Sequence, residues 1–240
     1  MRRTTVTTRR RAHRRATHSA GSADSLTETA YRALKEQILT CQLMPGEPLP
    51  SDRLTRQLGL SRTPIREAIL RLEKEGFVEV RPRMGTFVSH LNARNIHQMY
   101  EVRSALEALA ARQVAGKIDR ARLAAVEDRL RSLPTHGEVD LAALSEAGQQ
   151  VHRLIIESSN NAILVRFLQS LRDHFRRYRS LSLAIPEKVL SSHQEHLDIL
   201  DALKCGDGEA AARLVEAHFS NAAQFLLEGL MRSPSAVVVI

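Results

Sequence analysis

Tryptophan is absent from this 240-residue sequence, and aromatic residues make up only 4% of it. A packed core must therefore come from Leu, Ala, Val and Ile, a composition that favours helices over sheets. Cysteine is nearly absent: Cys41 and Cys205 stand alone, so neither a disulfide framework nor a Cys-based zinc site is indicated. No apolar run approaches the roughly 18–20 residues needed to cross a bilayer. The start of the chain lacks the apolar stretch of a secretory signal. It is rich in Arg, Ser and Thr, as organellar transit peptides also are, but a cytoplasmic protein is the expectation. There is no internal repeat and no glycine-rich phosphate loop.

What is there is unevenly spread. The formal net charge is +8. Residues 1–24 hold seven Arg against one Asp, and residues 25–90 hold ten Lys+Arg against eight Asp+Glu, whereas residues 91–240 balance at eighteen of each. Such an asymmetry suggests a polyanion reached from the N-terminal end, unless the tail is simply solvated.

Residues 1–24 show no hydrophobic periodicity and are expected to be disordered. Ser25-Leu26-Thr27-Glu28 has the form of a capping box, and Leu26, Ala30, Leu34 and Ile38 follow at the spacing of one helix face. Met44-Pro45-Gly46 ends that helix. Ser51 can cap a short second helix that buries Leu54 and Leu58 and is closed by Gly59. Ser61 can cap a third, reaching about Glu75, with Ile65, Ala68, Ile69 and Leu72 on its buried face. Two β-like stretches follow at 77–80 and 86–89, joined by a loop around Pro82. From Asn92 onward the pattern is helical, broken near Gly116, Pro134, Ser158, Pro186 and Gly206 into about six helices of roughly 14–24 residues.

The expected fold is therefore mainly α. A winged helix-turn-helix of three helices and a two-stranded wing spans 25–90. An all-α bundle spans 91–232, and 233–240 is a C-terminal tail. The turn at Gly59-Leu60-Ser61 would set the third helix into the major groove of DNA by its first residues, Ser61, Arg62, Thr63, Pro64 and Arg66. Arg62 and Arg66 are four apart and share a face, and Arg can bond a guanine edge with two parallel hydrogen bonds. Pro64 fits the first turn, where its missing amide proton has no partner to lose. Arg81, Arg83 and Gly85 of the wing would meet phosphate or the minor groove. The competing reading of Arg62 and Arg66 is a solvated face with ion pairs to Glu67 or Glu73.

The run Leu58-Gly59-Leu60-Ser61-Arg62-Thr63-Pro64-Ile65-Arg66-Glu67-Ala68, with Leu43-Met44-Pro45-Gly46 before it and Arg81-Pro82-Arg83-Met84-Gly85-Thr86 after it, resembles the GntR family of regulators. Cys41 departs from it, since glycine is common there. Further on, the stretch from Tyr100 to Ala111, with Val151-His152, Ser159-Asn160-Asn161, Glu195-His196-Leu197-Asp198 and Ala217-His218-Phe219, is similar to the FCD domain of the FadR subfamily. That resemblance implies a homodimer on palindromic operator DNA, controlled by a small organic acid, with no membrane partner.

It also implies a divalent metal, such as Zn²⁺ or Ni²⁺, on His152, His196 and His218. Arg103 would face the effector's carboxylate, although it could instead pair with Glu107 or Glu101. Gln149 would lie beside the effector. Arg172, Arg176 and Arg179 could contribute. The family's acidic ligand falls on Gly148, so metal should be held weakly, and an aspartate there should tighten it. His193 is expected to be exposed. A hydrolase using three-His zinc and an architectural DNA-binding protein without an effector are the alternatives.

Overall fold

The computed structural model describes residues 20–232 and 238–239. The disorder expected for the basic tail falls largely on 1–19, outside the described residues, as does most of the C-terminal tail. The first helix, α1 (Ala20–Leu39), begins before the capping box and so corrects it. Only Gly21 stands against a helix between 20 and 25, at a penalty of about 1 kcal/mol. Ser25 is thus internal; its carbonyl accepts the Thr29 hydroxyl at 2.8 Å, and Glu28 pairs with Arg32 and Arg71.

Helices α2 (Ser51–Leu58) and α3 (Arg62–Lys74) follow. Their cap positions are Pro50 and Ser61, and neither makes a side-chain cap bond, so capping by Ser51 and Ser61 is not realised. What closes α2 is Gly59, at φ 65°, a left-handed conformation that turns the chain sharply into α3. Ile65, Ala68, Ile69 and Leu72 of α3 are buried with Leu34, Ile38, Leu54 and Phe77 in one small core. Strands β1 (Val78–Arg81) and β2 (Gly85–Val88) pair antiparallel, Val78 opposite Val88 and Arg81 opposite Gly85. They sit one residue away from the expected stretches because Phe77 still belongs to the closing turn of α3, its amide donating to the Leu72 carbonyl.

The short β3 (Leu91–Asn92) leads into α4 (Ala93–Val114), capped by Asn92, whose Oδ1 accepts the Asn95 amide at 2.9 Å. Then come α5 (Arg120–Arg131), α6 (Leu141–Ser158), α7 (Ala162–Ser182), α8 (Pro186–Cys205) and α9 (Gly208–Arg232). Asp119, Asp140 and Asn161 cap α5, α6 and α7 through side-chain oxygens. The helix count in this half matches the sequence pattern, but α5 has 12 residues and α9 has 25, outside the expected lengths. These helices enclose a second, separate core of Leu, Ala, Val and Ile around Tyr100, Phe175 and Phe219. Beyond the expected tail boundary, β4 (Val238–Val239) lies parallel against β3.

Helix α7 joins the two halves. Asp173 binds Lys35 of α1 at 2.7 Å, and Arg176 makes a bidentate pair with Glu36. His174 stacks on Phe77 with ring centroids 4.6 Å apart. Arg177, only 3% exposed, donates to the Ser89 carbonyl at 2.7 Å. Cys41 lies beside the same joint at φ 56°, a left-handed value that accounts for glycine being common there.

Candidate functional site

Three helices each bring one imidazole to the centre of the bundle: His152 from α6, His196 from α8 and His218 from α9. Each offers a ring nitrogen lying within 4.8 Å of the others, and all three are buried. Two carboxylates fix the rings. Glu107 of α4, completely buried, lies 2.6 Å from His152 Nδ1, and Glu195 of α8 lies 2.7 Å from His218 Nδ1. Burial alone would raise the Glu107 carboxyl, but Arg103 and His152 outweigh it and hold it down to about 2. Glu195 is likewise held low, against burial, by His218 and Asn221. Ionised carboxylates only accept, so both Nδ1 atoms carry the proton, and in a neutral ring that leaves Nε2 with the lone pair a metal would take.

His196 completes the cluster differently. Its Nε2 lies 3.1 Å from His152 Nε2, and its Nδ1 is buried without a hydrogen-bond partner. Burial, together with the neighbouring His218 and His152, pushes His196 well below the usual imidazole range. Burial also pushes His218 down to about 4, against the pull of Glu195. Three imidazoles, two with their outer nitrogens anchored by carboxylates and one with an orphaned nitrogen, are a donor set that fits a divalent cation.

A cavity of 60 Å³ opens beside the cluster, and Arg103, Gln149, His152, His196 and His218 all line it. Tyr100, Phe175 and Phe219 supply its aromatic walls, and Arg179 and Lys188 reach it from α7 and α8. Arg103 makes the Glu107 pair considered from sequence and also lines the cavity. Its Nε donates to Glu107 at 2.5 Å, while its guanidinium lies over the Phe175 and Phe219 rings at 4.4 and 4.9 Å and faces the cavity. Burial pushes Lys188 down to about 8. Of the three α7 arginines considered from sequence, only Arg179 lines this cavity; Arg176 is committed to Glu36 and Arg172 leans on Asp173.

Two expectations need correction. His193 is buried rather than exposed, with Nδ1 unpartnered, in a depression formed with Arg131 and Leu197, apart from the three-His cluster. Gly148 does more than leave out a ligand. A Cβ there would lie 2.4 Å from His196 Cε1 and 2.7 Å from His196 Nδ1. The imidazole uses the space an aspartate would need, so an aspartate at 148 must first displace the His196 ring.

Glu107 and Glu195 are the residues that sequence reasoning undervalues. The available signal for Glu107 is a lone acid in an alanine-rich helical run, four residues after Arg103; for Glu195 it is adjacency to His196. Among the described residues no Asp or Glu lines the cavity itself. Nor is the bundle interior the featureless core of a purely architectural protein.

In the N-terminal half, Ser61, Arg62, Thr63 and Arg66 are exposed at the start of α3, and Pro64 is buried beneath them. Arg62 pairs with Asp52 at 2.9 Å, in place of the Glu67 or Glu73 considered from sequence. Glu67 instead accepts the Thr27 hydroxyl. In the wing, Arg81 pairs with Glu79 and lies over the Phe87 ring, while Arg83 stands exposed at the tip at φ 63° and Gly85 at φ 118°.

Residues 98–221, just over half the chain, match the FCD domain, and residues 26–88 match the family described as bacterial regulatory proteins, gntR family. The uncharacterized HTH-type transcriptional regulator YdhC of Bacillus subtilis (strain 168) is 29% identical over 198 residues, covering 82% of this chain and 88% of that protein. The HTH-type transcriptional repressor RspR of Escherichia coli (strain K12) is 28% identical over 192 residues, covering 78% and 83%. A GntR regulator from Rhodococcus sp. RHA1 has the same fold, with a TM-score of 0.69 at 21% identity over 85% of this chain and 98% of that one. This chain therefore belongs to the GntR family: it is a DNA-binding transcriptional regulator in which a winged helix-turn-helix is followed by a ligand-sensing FCD domain.

Proposed function

We propose that the protein is a repressor that binds a palindromic operator as a homodimer and releases it when a small organic acid enters the cavity of the FCD domain. In this reading residues 25–90 form the DNA-reading unit and residues 91–232 the sensing unit. Arg62 and Arg66 read base edges. Ser61, Thr63 and the start of α3 around Pro64 contact the adjacent backbone, and Arg81, Arg83 and Gly85 of the wing lie on phosphate or in the minor groove. A divalent metal such as Zn²⁺ or Ni²⁺ would be held by His152, His196 and His218, and would supply a Lewis acid for an anionic oxygen. Arg103 and Gln149 orient the acid, and Phe175 and Phe219 exclude water from it. One observation carries the reading: Arg103 and the three imidazoles line the same cavity.

Signal transfer follows from α7. Phe175, Arg179 and Ser182 line the cavity, while Asp173, Arg176 and Arg177 on other faces of the same helix hold the DNA-reading half. A ligand that draws on Arg179 thus acts on the element that positions α1 and the wing.

The test begins with an operator selected from random DNA, followed by fluorescence polarisation against a panel of organic acids with and without Zn²⁺. At least one acid should release the DNA. Arg103→Lys keeps a charge beside Glu107 but loses the planar fork; it should bind operator normally and respond far less. An operator complex indifferent to every acid and metal would support the architectural alternative instead.

A further inference from the structure

The wall of the cavity is electrically one-sided. Arg103, Arg179 and Lys188 line it, from α4, α7 and α8, and no carboxylate does. Glu107 stands behind the wall, committed to Arg103 and His152. Glu195 is committed to His218 and Asn221. Arg179 approaches Glu146 only at 3.9 Å, and that carboxylate is more than half exposed. The Lys188 ammonium has no hydrogen-bond or ion-pair partner among the described residues; it feels Glu195 and Arg103 only through space. Position 148, where the family resemblance places an acid, is glycine and adds no negative charge.

Cations gathered in a desolvated space require counter-charge. One carboxylate can be shared by the Arg103 and Arg179 guanidinium groups, but that leaves Lys188 unanswered. The cavity is small, 60 Å³, so both anionic groups must sit on a short skeleton. A wider groove that shares Arg103, His152 and Arg179 with it adds Arg153, Arg172 and Arg176 against Glu107 and Glu157, a basic balance that would raise the local concentration of multiply charged anions.

We infer that the effector is a short dicarboxylate, one carboxylate held by Arg103 and Arg179 and the other by Lys188, which makes Lys188 the residue that selects two charges over one. This rests on the reading of the cavity as an organic-acid site.

Calorimetric titration of the full chain with malonate, succinate and glutarate, alongside propionate, butyrate and valerate of matching length and glycerol 2-phosphate, tests it. At least one dicarboxylate should bind ten-fold or more tighter than its matched monocarboxylate. Lys188→Gln should abolish that preference while leaving monocarboxylate affinity within two-fold, and Lys188→Arg should keep it. Equal affinity for mono- and dicarboxylates, or equal weakening of both by Lys188→Gln, would overturn the inference and leave the organic-acid reading standing. A phosphate ester bound more tightly than every dicarboxylate would overturn it as well. Binding of no acid at all would bring down both readings together.

Discussion

Gly148 and His196 occupy one space between them, and that makes position 148 a sensitive point of the site. Any side chain must move the His196 ring. Gly148→Ala should therefore destabilise the protein by about 1–3 kcal/mol, as overpacking does, and lower its zinc uptake. Thermal melting and plasma mass spectrometry read the two effects, and an alanine variant that matches the parent in both would show that the ring has room. Lys188 gives a pH signature. Its folded value is about 8 against the usual 10.5, so between those values the unfolded chain keeps a proton that the folded chain has released. Stability should rise with pH across that window. Lys188→Gln should remove the rise and stabilise the ligand-free protein at pH 7 by on the order of 1 kcal/mol. Urea denaturation of both proteins at pH 7 and 9.5 decides this; a parallel pH dependence would contradict it. At the other end of the chain, the exposed Arg62–Asp52 pair is worth little, so Arg62 can exchange it for a base edge. Arg62→Ala should cost about 1–3 kcal/mol on the operator and much less on random DNA, whereas equal losses in gel shifts would rule out base reading. The histidines and Arg103 are legible in sequence through the resemblance to the FCD domain, which marks their positions. Glu107 is not, because an acid four residues from an arginine reads equally well as a solvent-exposed pair. Only the packing of α4 against α6 and α9 makes it a buried one.

Among the elements, α7 has two jobs. With helical periodicity of 3.6 residues, Phe175, Arg179 and Ser182 share one face, and Asp173 and Arg177 point away from it. Lys35 binds both Asp173 and Glu75 at 2.7 Å, and although burial opposes its charge, these carboxylates and Tyr31 keep it well above the ordinary lysine range. Lys35→Met should loosen the joint without touching the cavity. Acid binding measured by calorimetry should stay within two-fold, while the acid's effect on operator affinity should shrink at least five-fold, the lower end of typical coupling. An unchanged response would show that the signal travels by another route. The existence of α7 is legible from periodicity and from Asn161 at its start. Its second job is not, since the residues it grips lie more than 80 positions away, and no local pattern marks such a contact. Turn chemistry is legible where glycine is required, as at Gly59. Serine is a weaker guide: Ser25, Ser51 and Ser61 all have the right type for a cap, and none makes the bond.

In the whole molecule, charge and fold are separable. All seven tail arginines lie within residues 1–19, before α1 begins. Removing those residues should leave the melting temperature nearly unchanged. It should also flatten the salt dependence of DNA binding, by about 0.9 in log–log slope for each phosphate that the tail had neutralised. A large drop in thermal stability would instead make the tail part of the folded structure. The division into two cores is legible from the change in pattern after residue 90, because each core is built from residues close in sequence. The way they dock is decided by a few side chains drawn from both: Lys35, Glu36 and Phe77 on one side, Asp173, His174 and Arg176 on the other. Recombination between regulators would most naturally fall in the stretch between the two cores. A chimera made there would inherit half of this joint from each parent. It could fold in both parts, bind its operator and its acid, and still be deaf. New pairings of sensor and operator should therefore arise only between parents whose α1 and α7 already match, or after a few substitutions on the outer face of α7 have made them match.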